Sequence, residues 1–456
     1  MIANLTSVIT KKHIEDLFEL FIILLLFEGI LRKWLLPENI GFVFMVIRDP
    51  IVALIVIKGY KYHIIHEPLI KVTVVLSILS FFTTLLFGHH NLVVALYGIR
   101  IYILYFPAIF IIGNVISIDC INKIGKLFIY IFPFVVFITI LQFFLPPGNI
   151  VNAGKGFALD STVSAGELQM KASGIFTNVV GLTDYYILVL AFILFFYMKK
   201  KDVNGLNMKY LFICVVLYII SIPVSVSRTH LFYTIISLFC YSLLVKKKQA
   251  FKMLFFLGVL AVLFVFLMKI PEFRKTILVF SDRFTGANQT EGGILSAIWG
   301  RTIGFALNVM DNNLPLFGYG EGYATNVGIK MIHGFVGVRN MSNEVIVKRL
   351  EDSEMEWARI LTESGIILGS IFVFIRIKLS FMFLNKSLKN LLLNNNKMAW
   401  IFLPPAFLFM MFLQIKVPTN LGFMLLACAL LVASLRIENN TNYENSYSKF
   451  RTGTFT

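Results

Sequence analysis

Charge is scarce in this chain. Only 14% of its 456 residues are charged, against 58% hydrophobic, whereas an ordinary soluble domain carries roughly 25% charged residues. A globular protein of this length has no use for so much apolar surface, and a bilayer requires it. Cysteine is sparse too: Cys214, Cys240 and Cys428 lie inside apolar runs and Cys120 in a short connector. None falls in the long polar stretch 269–358, so no disulfide framework braces it. Also missing are a phosphate-binding Gly-rich loop ahead of a helix, a metal-ligand spacing of His or Cys, and a nucleophile elbow. No metal site and no cofactor is expected.

The net charge of +16 raises the question of nucleic acid, and the placement of the basic residues answers it. They sit in short clusters between apolar runs: Lys199 to Lys201, Lys246 to Lys248, and Lys386, Lys389 and Lys397. Such clusters hold loops on the cytoplasmic side during insertion. Binding a phosphate backbone needs a continuous basic face instead, so nucleic acid is not an expected partner.

A crossing helix needs about 20 mostly apolar residues. About twelve stretches qualify, near 14–31, 41–57, 69–87, 95–116, 126–145, 181–198, 209–224, 229–245, 251–268, 362–382, 399–415 and 419–436. Each must be helical, because hydrocarbon offers no partner to an open backbone. The first leads into Glu28, Arg32 and Lys33 without a small-residue cleavage site, so it reads as a retained helix and not a signal peptide. The expected fold is all-α: a polytopic membrane helix bundle with one large extracytoplasmic loop. Placing both termini in the cytoplasm puts the lysine clusters, Lys11, Lys12, Lys58, Lys61, Lys123, Lys126 and Arg436 inside, as the positive-inside bias requires.

That topology divides the chain. Residues 1–268 form nine helices with an outer loop at 146–180; 269–358 form the large outer loop; 359–436 form the last three helices; and the Asn-rich tail 437–456 reads as a disordered cytoplasmic segment.

A charge at mid-bilayer costs roughly 2.5–3.5 kcal/mol on insertion scales and so needs a reason. Arg48 and Asp49 fall inside the second stretch; neighbours at i and i+1 do not face each other, so each should find a partner on another helix. Arg100 stands near the outer end of the fourth helix, and Arg228 in the tight turn Ser225 to His230. Snorkelling to the interface is the ordinary fate of such arginines, but the short turn fixes Arg228 over the bundle opening.

The large loop holds Arg301, then the turn-rich Leu314 to Gly320, then His333 among apolar residues, then the acidic run Glu351 to Arg359 entering the tenth helix. Glycine and proline at that density let backbone approach a ligand closely. At helical spacing Asp352, Glu356, Arg359 and Glu363 share one face, a solvated surface or the acidic wall of a site. Met355, Ala358, Thr362, Gly365 and Gly369 share another, a small-residue seam for close helix packing.

Taken together these stretches resemble the O-antigen ligase and polymerase superfamily of bacterial membrane glycosyltransferases. Ser227-Arg228 is similar to that family's Ser-Arg motif, Arg301 with Phe317 to Gly320 to its loop arginine and Pro-x-Gly-x-Gly stretch, and Glu354 to Leu361 with Glu363, Gly365 and Gly369 to its closing motif. Phe27 to Trp34, Pro37, Arg48-Asp49-Pro50, Gly98-Ile99-Arg100, and Gln142-Phe143 with Ser173 to Thr177 are similar to exopolysaccharide members. Two positions depart: Glu354-Met355 stands where the ligase branch has His-Asn, which favours a polymerase, and Lys171 where relatives often carry arginine. Lysine offers no bidentate fork.

The resemblance implies a polyprenyl-pyrophosphate-linked oligosaccharide as donor, handled at the outer face of the bacterial cytoplasmic membrane. It implies Arg228 and Arg301 gripping the departing pyrophosphate, Glu354 as general base with Asp352 in reserve, and Arg100, Lys171, Tyr319 and His333 as substrate-binding residues. Tyr323 and Trp357 join Tyr319 as aromatic faces for sugars or for the core. Membrane lipids, and a chain-length regulator or flippase, are the other partners in view. A ligase acting on a lipid or protein acceptor is the nearest alternative, and a lipid-linked glycan transporter the alternative of another class.

Overall fold

The computed structural model describes residues 2–153 apart from 38–39, 42–43, 66 and 147, then 164–199 without 167–168, and 206–244. It further describes scattered positions between 269 and 298, then 299–332 without 312–313, and 355–452. Apart from a two-stranded antiparallel pair, β1 (Ser164–Gly166) and β2 (Gln169–Met170), the described structure is helical.

The helices are α1 (Ile2–Ile30), α2 (Asp49–Lys61), α3 (Pro68–Phe87), α4 (Leu92–Val115), α5 (Ile118–Phe144), α6 (Val179–Lys199), α7 (Met208–Val224) and α8 (Arg228–Ser242). After them come the short α9 (Phe305–Asp311) and α10 (Asn326–Ile332), then α11 (Glu356–Asn394), α12 (Lys397–Phe412) and α13 (Pro418–Thr452). Six are long and apolar enough to cross a membrane: α3, α4, α5, α6, α11 and the first part of α13, Pro418–Ile437. They mark a membrane protein. α7 and α12 are apolar but shorter, and α1 has the length but carries Glu15, Asp16, Glu19 and Glu28.

Four expectations change. The stretch 41–57 is not one helix: it holds a 3-10 turn at Phe44–Val46, and α2 begins at Asp49. Pro50, in the first turn, has no N–H to give a preceding turn, so the helix starts there and extends only about 20 Å at 1.5 Å per residue. The tenth helix is broken at Gly365, which has φ +77° inside α11. Part of the large loop, residues 314–325, packs into the bundle instead of standing apart from it, with Glu321 through Thr325 buried against α3, α4 and α11. The tail after Ile437 continues α13 as helix to Thr452, because extending a helix already nucleated costs far less than starting one. The expected span 251–268 lies outside the described residues.

α6 sits at the centre. Gly181 through Phe196 are all buried, the pattern of a helix walled by protein on every side. Its neighbours include α5, α8, α12 and α13, and α13 in turn packs along α4 and α12. Apolar lipid gives helices no reason to associate, so contact depends on close packing. Gly59 seats Ile111, Gly113 seats Val432, and Gly125 seats Phe192 and Phe196. α3 is peripheral, with Val75, Phe82 and Leu86 exposed.

Candidate functional site

The buried charges gather at one end of the bundle. Lys416, in the five-residue connector between α12 and α13, is fully buried, and its Nζ lies 2.8 Å from Glu321 Oε2 and 2.6 Å from Glu363 Oε2. Glu321 Oε1 accepts hydrogen bonds from Ser80 Oγ at 2.8 Å and Ser364 Oγ at 2.5 Å. Glu363 Oε1 accepts from the Ala324 N–H at 3.0 Å. The triad thus ties the loop 314–325 to α3, to the start of α11 and to the last connector.

Burial opposes charge on Glu321, but the Lys416 ammonium and the hydrogen bonds from Lys416, Ser364 and Ser80 outweigh it, holding the carboxyl below its ordinary range. Burial also opposes charge on Lys416; Glu321 and then Glu363 overcome it and hold the ammonium well above its usual value.

The loop lies along the first part of α11. Tyr319 and Gly320 donate their N–H groups to the carbonyls of Thr362 and Glu363, both at 2.9 Å. Gly318, Gly320 and Gly322 all have left-handed φ, at +72°, +105° and +87°, a region in which only glycine is unstrained. A side chain on Gly365 would meet the Leu316 carbonyl at 2.3 Å, and one on Gly318 the Glu363 carbonyl at 2.4 Å. Break and loop therefore require each other. Gly369, expected to serve packing between helices, instead seats the Leu361 backbone of its own helix, where the two parts of α11 fold together.

His89 fixes the loop from the other side. Its Nδ1 accepts the Asn91 N–H at 3.0 Å, so Nε2 carries the proton and donates to the Glu321 carbonyl at 3.0 Å. Arg376 pairs with Glu356 at 2.6 Å and donates to the carbonyls of Met410, Leu413 and Phe409, closing the C-terminal end of α12, where unpaired carbonyls collect.

A second group adjoins the first. Arg48 lies 2.8 Å from Glu28 Oε2 and donates to the Pro418 carbonyl at 2.8 Å, and Glu28 also pairs with Arg32 at 2.8 Å. Asp49 takes Arg100 at 3.1 Å and the Tyr105 hydroxyl at 2.7 Å. Arg48 and Asp49 thus find separate partners on other helices, as their adjacency requires. Gly98 joins the groups, since a Cβ there would lie 2.5 Å from the Glu321 carbonyl carbon. Among the described residues, Nη1 of Arg48, Nη1 of Arg100 and both polar atoms of the Asn420 amide are buried without a hydrogen-bond partner.

Of the expected site residues, Arg228 is half-buried at the first position of α8. The preceding turn is tightly held: Val226 has φ +48°, strained for a β-branched residue. Ser227 Oγ accepts from the His230 N–H and from Thr183 Oγ1. Arg301 falls in the π-helical turn Gly300–Gly304 ahead of α9, which packs with its turn against the first part of α11; its side chain lies outside the described residues. Glu354, Asp352 and His333 also lie outside them, with Glu354 two positions before the start of α11.

Arg100 is committed to Asp49, and its guanidinium lies 3.8 Å above the Tyr97 ring. Lys171 is half-buried beside Ala172 and Ser173. Next to it, Gln142 grips the N–H groups of Ser173 and Gly174 and the Gly174 carbonyl, so these two distant stretches do meet. Tyr319 is half-buried and stacks on buried Tyr323 at 5.2 Å. Trp357 is half-buried, donates to the Met411 carbonyl and stacks on Phe412.

One expectation is corrected. Glu356 and Glu363 do not line an open acidic wall; both are buried in ion pairs. Sequence reasoning missed Glu321 and Lys416. The available signal was a lone lysine in a short connector, Leu413 to Val417, which the expected topology puts outside, where the positive-inside bias leaves few lysines. Comparison of the chain with protein-family models, with curated proteins and with solved structures finds no match.

Proposed function

We propose that the chain is a membrane glycosyltransferase. It crosses a bacterial cytoplasmic membrane about twelve times with both termini inside, and at the outer face it polymerises or ligates an oligosaccharide carried on polyprenyl pyrophosphate. The observation that carries this reading is the locked assembly of loop 314–325 with the broken start of α11. Against that assembly packs the turn bearing Arg301, and from it the chain leads back to Glu354.

The chemistry follows from residue types. An acceptor hydroxyl attacks the anomeric carbon, the bond to the pyrophosphate oxygen breaks, and the pyrophosphate leaves with the electron pair. Arg228 and Arg301 stay protonated and grip phosphate oxygens in bidentate fashion, stabilising that charge. Glu354 accepts the hydroxyl proton as general base. Since Glu356 and Glu363 are already spent on Arg376 and Lys416, the role falls to the carboxylates that precede α11, with Glu354 the nearest to it and Asp352 in reserve.

The broken helix favours a second reading, a transporter, because transporters interrupt helices at the bilayer midplane. The position of the break weighs against it. Residues 366–394 still extend about 43 Å at 1.5 Å per residue, more than the roughly 30 Å of hydrocarbon, which is length enough to cross without Gly365 and supports a break at the membrane surface. Supplying purified protein with a lipid-linked oligosaccharide separates the readings. Longer glycans mean a polymerase, and movement across vesicles without lengthening means a transporter. Glu354→Gln or Arg301→Ala abolishes extension while insertion stays normal; full activity in both ends the proposal.

A further inference from the structure

A cavity of about 450 Å³ opens between α11, α4 and α13. Lys386, on its rim, lies about 31 Å along α11 from Gly365 at 1.5 Å per residue, so the cavity sits at the end of the bundle remote from the triad. Three cations line it, Lys386, Lys389 and Arg436, against one carboxylate, Glu67. Its inner wall is apolar, formed by buried Phe110 and Phe383.

The cations are held differently. Lys386 Nζ lies 2.5 Å from Glu67 Oε1. Arg436 donates to the carbonyls of Gly113 and Ile116 at the end of α4, which anchors its guanidinium. Lys389 is exposed. Just beyond, Leu392 and Leu393 are 74% and 80% exposed, apolar side chains turned outward on the same helix as the lysines. Basic and apolar groups presented together in this way belong to the boundary between headgroups and acyl chains.

We infer that this cavity seats an acidic phospholipid, its phosphate between Lys386 and Lys389 and its acyl chains against Phe110 and Phe383. A basic pocket between crossing helices suits an anionic headgroup. The aromatic wall distinguishes a lipid from a soluble anion, which would gain nothing from it. Glu67 is the built-in competitor: the phosphate must displace its carboxylate from Lys386.

The test titrates fluorescent phosphatidylglycerol into the full-length protein in detergent, with phosphatidylcholine and inorganic phosphate as controls. Wild-type protein binds phosphatidylglycerol in preference to phosphatidylcholine. Lys386→Gln with Lys389→Gln weakens that binding by roughly 25-fold, at about fivefold for each basic residue near an anionic surface. Glu67→Gln tightens it several-fold, an effect that a damaged fold does not produce. Equal binding of the two lipids, unchanged affinity in the double variant, or displacement of the lipid by millimolar inorganic phosphate would each overturn the inference.

Discussion

Replacing Lys416 by methionine removes the one ammonium shared by Glu321 Oε2 and Glu363 Oε2. The two carboxylates are then left within about 5 Å of each other, where an effective dielectric of about 20 gives roughly 3 kcal/mol of repulsion. Breaking a buried ion pair by deleting one partner costs about 3–5 kcal/mol in total, and this is the loss expected at neutral pH.

The sign of the pH dependence is the sharper test. In the wild-type protein Glu321 is held below its ordinary value of 4.5 and Lys416 above 10.5. The unfolded chain therefore binds more protons on the acid side, and the contribution of the triad is complete between those limits. It is lost as pH falls below 4.5 towards the folded value of Glu321, and at the other limit as pH rises through the folded value of Lys416. In Lys416→Met, acid protonates one of the two repelling carboxylates, so the variant gains stability as pH falls from 7 towards 5. Melting followed by tryptophan fluorescence in detergent reads both slopes. A variant as stable as wild type at pH 7, or one with the wild-type slope, refutes the reasoning. Adding Glu363→Gln to the variant should recover much of the loss.

Other perturbations act at single contacts. Gly365→Ala places a Cβ 2.3 Å from the Leu316 carbonyl at φ +77°, so folded protein recovered by size-exclusion chromatography should fall steeply, while Gly148→Ala, which meets nothing, serves as the control. Arg376→Met strands Glu356 and three carbonyls, and should lower stability in denaturant by about 3–5 kcal/mol. Asp49→Asn should release the Arg100 guanidinium, read as faster arginine-selective labelling of purified protein.

The helical membrane character was legible because it follows from composition: apolar runs of this length answer to the bilayer alone, and six of them stand as long helices. That Arg48 and Asp49 would seek different partners followed from their adjacency. The site was less legible, because its geometry depends on positions distant in sequence. Gly365 belongs to a helical small-residue pattern and reads as packing; only the neighbouring Leu316-Phe317-Gly318 ribbon reveals it as a break. Glu356 and Glu363 look exposed on a helical wheel, since a wheel contains neither Arg376 nor Lys416. Glu321 stands between two glycines, where no periodicity distinguishes a buried carboxylate from a solvated one.

The contact from Arg48 to the Pro418 carbonyl joins residues 370 positions apart, and this has a consequence for biogenesis. A ribosome has almost finished before the first helices' arginine can meet its acceptor, and Glu321 waits in the same way for Lys416. Glu28 can neutralise Arg48 early, but until then a half-made chain holds Glu321 and Glu363 without the ammonium that pairs them. A product truncated before the final two helices would keep them so indefinitely, giving membrane proteases a chemical mark by which to tell unfinished copies from complete ones.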